Sequence, residues 1–129
     1  MLAVMRLLNA ILGDASEIDI EALEKEFARV LGEGEEIEKA FVLVRDLIVF
    51  TRKRMILVDK QGLTGKRKEY HSIPYRSIVH FSAESLGHFD LDAELKIWIH
   101  GQAEPKQFSF RRDTSILEIQ RTLATYLGG

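Results

Sequence analysis

The 129-residue chain has no cysteine. Disulfide frameworks, thiolate catalysis, cysteine-ligated zinc and iron–sulfur chemistry are therefore excluded, and a reducing compartment suits it. No stretch approaches the ~20 apolar residues needed to span a bilayer. The apolar start, Met1 to Leu12, lacks a cationic leader segment and is interrupted by Arg6 and Asn9, which argues against a secretory signal. We therefore expect a cytoplasmic protein. A strong charge of either sign is also missing: 18 Lys and Arg face 20 Asp and Glu, for a net charge of -2. Domains built for nucleic acid are usually strongly basic, so no nucleic-acid partner is expected. The sequence contains no repeat, low-complexity tract or long linker.

What is present suffices for one core. The chain is 46% hydrophobic and 29% charged, which supports a single domain without metal or disulfide staples. Two helical patterns come first. Leu2, Met5, Leu8 and Leu12 recur at helical spacing before Gly13, and Ile20, Leu23, Phe27 and Val30 do so before Gly32. Ser16 and Asp19 have the spacing of a capping box for the second helix. Both apolar stripes read as core packing. Residues 1–34 form this helical extension, and the run Gly32-Glu33-Gly34-Glu35-Glu36 reads as a hinge to a second unit, residues 35–129.

From Glu35 the period changes to two, the signature of strands. Strands are predicted over Glu35 to Val44, Leu47 to Thr51, Arg54 to Asp59, Lys66 to Ile73, Ile78 to Glu84, Leu91 to His100 and Gln107 to Arg111. Pro74 ends the fourth because it has no N–H to donate. In the sixth, Leu91, Ala93, Leu95, Ile97 and Ile99 alternate with Asp92, Glu94, Lys96, Trp98 and His100. A helix follows, capped by Asp113 or Thr114, with a face of Ile116, Leu117, Gln120, Leu123, Ala124 and Leu127. The fold class is therefore α+β and mainly β: a seven-stranded antiparallel barrel closed by a C-terminal helix and preceded by two N-terminal helices.

The segment from Asp46 to Arg54, with Asp59-Lys60-Gln61-Gly62, Gly65-Lys66, Tyr70, Ser72-Ile73-Pro74-Tyr75 and Ile78, resembles the bacterial pleckstrin-homology (PH) domain family. Phe89 to Trp98 is similar to that family as well. The resemblance covers roughly Glu35 to the C-terminus and implies the PH-like barrel, ring-like homo-oligomers and no enzyme activity. Eukaryotic relatives often hold phosphoinositides through a basic loop between the first two strands. Here that loop is only Arg45-Asp46, too tight to cradle an inositol phosphate.

The chemistry-bearing residues point the same way. His71, His80, His88 and His100 occur with Ser72, Ser82, Ser85 and Ser109, but no nucleophile elbow is present. His88, Asp90, Asp92 and Glu94 alternate and could offer oxygen and nitrogen ligands; we read them as the polar outside of the sixth strand and its entry loop, with no metal or cofactor expected. Gly62-Leu63-Thr64-Gly65-Lys66 lacks the spacing and strand-to-helix setting of a phosphate loop, and a hairpin turn accounts for its glycines. Arg45, Lys60, Lys66, Arg67 and Lys68 cluster near one barrel end as candidate anion-binding residues. At about 1 kcal/mol per cation at an anionic membrane surface, the four around the loop between the third and fourth strands, Lys60, Lys66, Arg67 and Lys68, supply ~4 kcal/mol, roughly millimolar binding. An oligomer would gain by avidity, so an anionic membrane surface, or a phosphorylated ligand held by the same basic loops, is the second expected partner. The first is a protein or peptide, with Trp98 as candidate interface residue, because Trp is a frequent interface anchor.

Overall fold

The computed structural model describes residues 20–42, 46–59, 69–85, 93–110 and 116–128. The first predicted helix, the Ser16–Asp19 cap, the 61–65 loop and the Asp113 or Thr114 cap lie outside the described residues. Within them run helix α1 (Ile20–Glu26), strands β1 (Ile37–Val42), β2 (Asp46–Thr51), β3 (Arg54–Asp59) and β4 (Tyr70–Pro74), a one-turn 3₁₀ helix (Tyr75–Ser77), strands β5 (Ile78–Ser85), β6 (Ala93–Ile99) and β7 (Lys106–Phe110), and helix α2 (Ile116–Leu127). All strand pairings are antiparallel.

The expected closed barrel is corrected. The strands form two sheets, β1-β2-β3-β4 and β5-β6-β7, and no ladder joins them among the described residues. The junction supplies the reason. Pro74 cannot donate to a ladder, and the 3₁₀ turn that follows redirects the chain before Ile78 begins the second sheet. The sheets still share one core. Ile48, Phe50, Met55, Leu57 and Ile73 of the first sheet cluster with Ala93, Leu95, Ile97 and Phe108 of the second and with Ile119 and Leu123 of α2.

The first sheet is buried on both faces. Leu47, Val49, Ile56 and Val58 point away from that core and pack with Leu23 and Phe27 of α1. This explains why 47–50 and 55–58 are unbroken apolar runs rather than alternating ones: a strand covered on both sides needs no polar face. A register shift between Ile37 and Lys39 does similar work on β1. It sends Ile37 to the α1 side and Phe41 to the shared core, as a bulge does when it shifts side chains between faces.

The predicted face of the C-terminal helix is also corrected. Ile119, Leu123 and Thr122 are buried, with Ile116, Tyr126 and Leu127 packed beside them. Leu117 is instead 74% exposed, and Ala124 faces outward. Helical spacing admits both stripes, and the sheet decides between them. Thr122 is tolerated in the core because its hydroxyl donates to the Glu118 carbonyl at 2.8 Å. Leu117→Lys is therefore expected to change the unfolding free energy by less than ~0.5 kcal/mol, measured by urea titration; a larger loss would mean that Leu117 packs against something.

Aromatic stacking fastens α2. Tyr126 lies parallel to Tyr75 at 4.9 Å and to Phe50 at 5.9 Å. Its hydroxyl donates to Glu38. Burial, reinforced by that carboxylate, pushes the phenol up to about 12, so it remains a donor at neutral pH.

Candidate functional site

The β2–β3 hairpin carries a buried polar network that the sequence did not reveal. Its loop is Arg52-Lys53, and Thr51 closes it: the hydroxyl oxygen accepts from Lys53 N (3.1 Å) and Arg54 N (3.2 Å). The same hydroxyl donates to Glu35 Oε2 at 2.6 Å. Arg54 grips that carboxylate with two donors, Nε to Oε2 at 3.0 Å and Nη2 to Oε1 at 2.8 Å. Its remaining donors reach the Val30 carbonyl and Ser72 Oγ, both at 2.7 Å. The Glu35 side chain is 2% exposed and that of Arg54 23%. The paired guanidinium chiefly, helped by Thr51 and the Gly32 amide against the opposing effect of burial, holds the Glu35 carboxyl down at about 2.

This network ties the segment after α1 to β3 and β4. The expected hinge at 32–36 is thus a pinned turn: Glu35 N donates to the Gly32 carbonyl at 3.1 Å and Gly32 N to Glu35 Oε1 at 2.8 Å. Gly34 sits at φ 74°, a conformation glycine adopts without a Cβ penalty. Four of its five N–H donors are engaged internally, so Arg54 acts as a structural clamp. Arg52, by contrast, makes only a surface ion pair, donating Nε to Glu38 at 3.1 Å from a side chain that is 87% exposed.

The outer face of the second sheet differs. Alternation turns Leu95 and Ile97 inward and Glu94, Lys96 and Trp98 outward. Across from them on β5, the register opposes His80 to Trp98, Ser82 to Lys96 and Glu84 to Glu94. On β7 it opposes Gln107 to Lys96 and Ser109 to Glu94. His80, Ser82, Glu84, Gln107 and Ser109 are exposed, and Trp98 is half-buried. The indole stacks on His80 with ring centres 4.3 Å apart and planes 29° from parallel. Val79, at the register shift of β5, is 60% exposed beside them. An aromatic anchor among polar neighbours has the make-up of an interaction surface.

The structure therefore places Trp98 where the alternation put it, on the outward register. It adds His80 opposite that indole; pairing across strands is invisible until the register is known. Arg45, Lys60, Lys66, Arg67 and Lys68 all lie outside the described residues. So do His88, Asp90 and Asp92, while Glu94 meets Lys96 at 3.9 Å. Among the described residues, no three His, Asp or Glu side chains gather as metal ligands, and no helix is long and apolar enough to cross a membrane.

Comparison with known proteins places the fold. The family model described as bacterial PH domain matches residues 6–127, so the helical segment before the sheets lies within the match. The uncharacterized protein YjqA of Bacillus subtilis (strain 168) is 55% identical over 121 residues, covering 93% of this chain and 97% of that protein. The crystal structure of a pleckstrin homology domain from Shewanella amazonensis SB2B aligns with a TM-score of 0.77 at 53% identity, covering 86% of this chain and 100% of that one. A protein with a pleckstrin-homology domain from Shewanella loihica PV-4 aligns with a TM-score of 0.76 at 44% identity, covering 86% and 95%. The two sheets, the C-terminal helix and the extent of these matches make the chain a member of the bacterial pleckstrin-homology domain family.

Proposed function

We propose that the chain is a non-catalytic, self-associating binding module that presents the outer face of β5-β6-β7 to a protein or peptide partner. Trp98 carries this reading. A tryptophan placed outward on a central strand, stacked on His80 with the polar Ser82–Lys96–Gln107 row next to it, offers a large contact area at low cost in side-chain entropy. Among the described residues, the core cluster draws on the opposite face of β6 and does not include Trp98. The fold alone assigns no activity. Support for self-association comes from the family resemblance, which implies homo-oligomers.

Two measurements test the parts separately. Size-exclusion chromatography with light scattering is expected to give a mass that is a multiple of 14.8 kDa; a monomer at high concentration ends the self-association reading. Trp98→Ser is expected to lower stability by only about 1 kcal/mol, the worth of a surface aromatic pair. It should nevertheless remove proteins retained from native lysate by the immobilised wild type. Identical retained bands for both proteins would end the interface reading.

A further inference from the structure

The cross-strand register also bears on what kind of partner fits. Three rows of side chains cross the outer face: His80 with Trp98, then Ser82 with Lys96 and Gln107, then Glu84 with Glu94 and Ser109. The last row sets two carboxylates directly opposite each other, an arrangement that destabilises a strand pair. Lys96 reaches Glu94 only at 3.9 Å, while Glu84 is exposed. These outward positions accept almost any residue, so folding does not require an acidic pair there. A cation brought by a partner would relieve it.

Spacing matches an extended peptide. Trp98 and Glu94 are four residues apart on β6, about 13 Å at strand rise. In an extended partner chain, residues i and i+4 project to the same side over the same ~13 Å. Arginine suits both ends: its planar fork pairs with carboxylates, and it stacks on aromatic faces. We propose that this face docks an extended basic protein segment, with one arginine over the Glu84–Glu94 row and a second against Trp98. The inference rests on the reading of the Trp98 face as the partner surface and gives that partner its charge.

Trp98 is the single tryptophan, so its fluorescence reports on this face alone. The probe is a serine heptapeptide with arginine at its second and sixth positions, compared with the same peptide carrying glutamate. The arginine peptide is expected to give a saturable change that weakens at least tenfold between 50 and 500 mM salt, as exposed ion pairs do. The double variant Glu84→Gln with Glu94→Gln should bind it roughly tenfold more weakly while melting no lower than wild type, because a like-charge pair is removed. Equal affinity in the double variant, or equal binding of the glutamate peptide, overturns the basic partner and leaves the surface reading standing. No response to either peptide at several millimolar overturns both.

Discussion

Arg54→Met is expected to lower the unfolding free energy by about 3–5 kcal/mol, the usual consequence of removing one partner from a buried ion pair. Four donor contacts disappear together, two to Glu35 and one each to Val30 and Ser72. The larger effect is what remains: a carboxylate 2% exposed with no cation beside it. Replacing both partners, Glu35→Leu with Arg54→Met, should restore part of the loss, because no charge is then buried.

The pair also carries a pH signature. The Glu35 carboxyl titrates at about 2 in the folded chain against an ordinary value of 4.5. As pH falls, the unfolded chain takes up this proton first. The stabilisation is therefore complete above 4.5 and is lost progressively as pH falls to about 2, on the order of 3 kcal/mol in total. Other carboxylates titrate in the same range, so the difference between wild type and Arg54→Met isolates this one. Urea denaturation at pH 7 and at pH 2.5 should show that difference shrinking in acid. A difference below 1 kcal/mol at pH 7, or one independent of pH, would show that the clamp contributes little.

Phe27→Ala is expected to cost a similar amount, about 3–5 kcal/mol, and to act locally first. Phe27 is 1% exposed and meets Tyr70 edge-to-face with ring centres 5.4 Å apart. It anchors α1, a helix of seven residues, far below the ~12–15 residues at which an isolated helix becomes even marginal. The helix therefore exists because Leu23 and Phe27 pack on the outer face of the first sheet. Without Phe27, Leu47, Val49, Ile56 and Val58 lose their cover. Amides of residues 20–31 should exchange with deuterium much faster than those of β2 and β3. Unchanged protection of 20–31 would show that α1 is held by something other than this contact.

The two charged or aromatic features that matter most differ in how legible they were. Trp98 was readable because strict alternation over 93–99 fixes which residues share a face, and a Trp on the polar register stands out. Glu35 and Arg54 were not. Each looks like an ordinary surface charge, one in a glycine-rich turn and one at a strand start. Their pairing spans 19 residues and depends on how the 32–35 turn folds back over the hairpin. The apolar runs 47–50 and 55–58 did hold a signal, since a strand without alternation is covered on both sides. They did not name the cover, which is α1.

Hydrophobic period, proline and glycine placement pointed by themselves to the seven strands seen among the described residues, to antiparallel pairing of neighbours and to a C-terminal helix. These are local properties, set by which side chains alternate and where the backbone can turn. The division into two sheets, the buried side of α2, the Glu35–Arg54 clamp and the seating of His80 on Trp98 were decided only by tertiary structure. Each depends on which distant residues become neighbours, and no periodicity along one strand or helix encodes that.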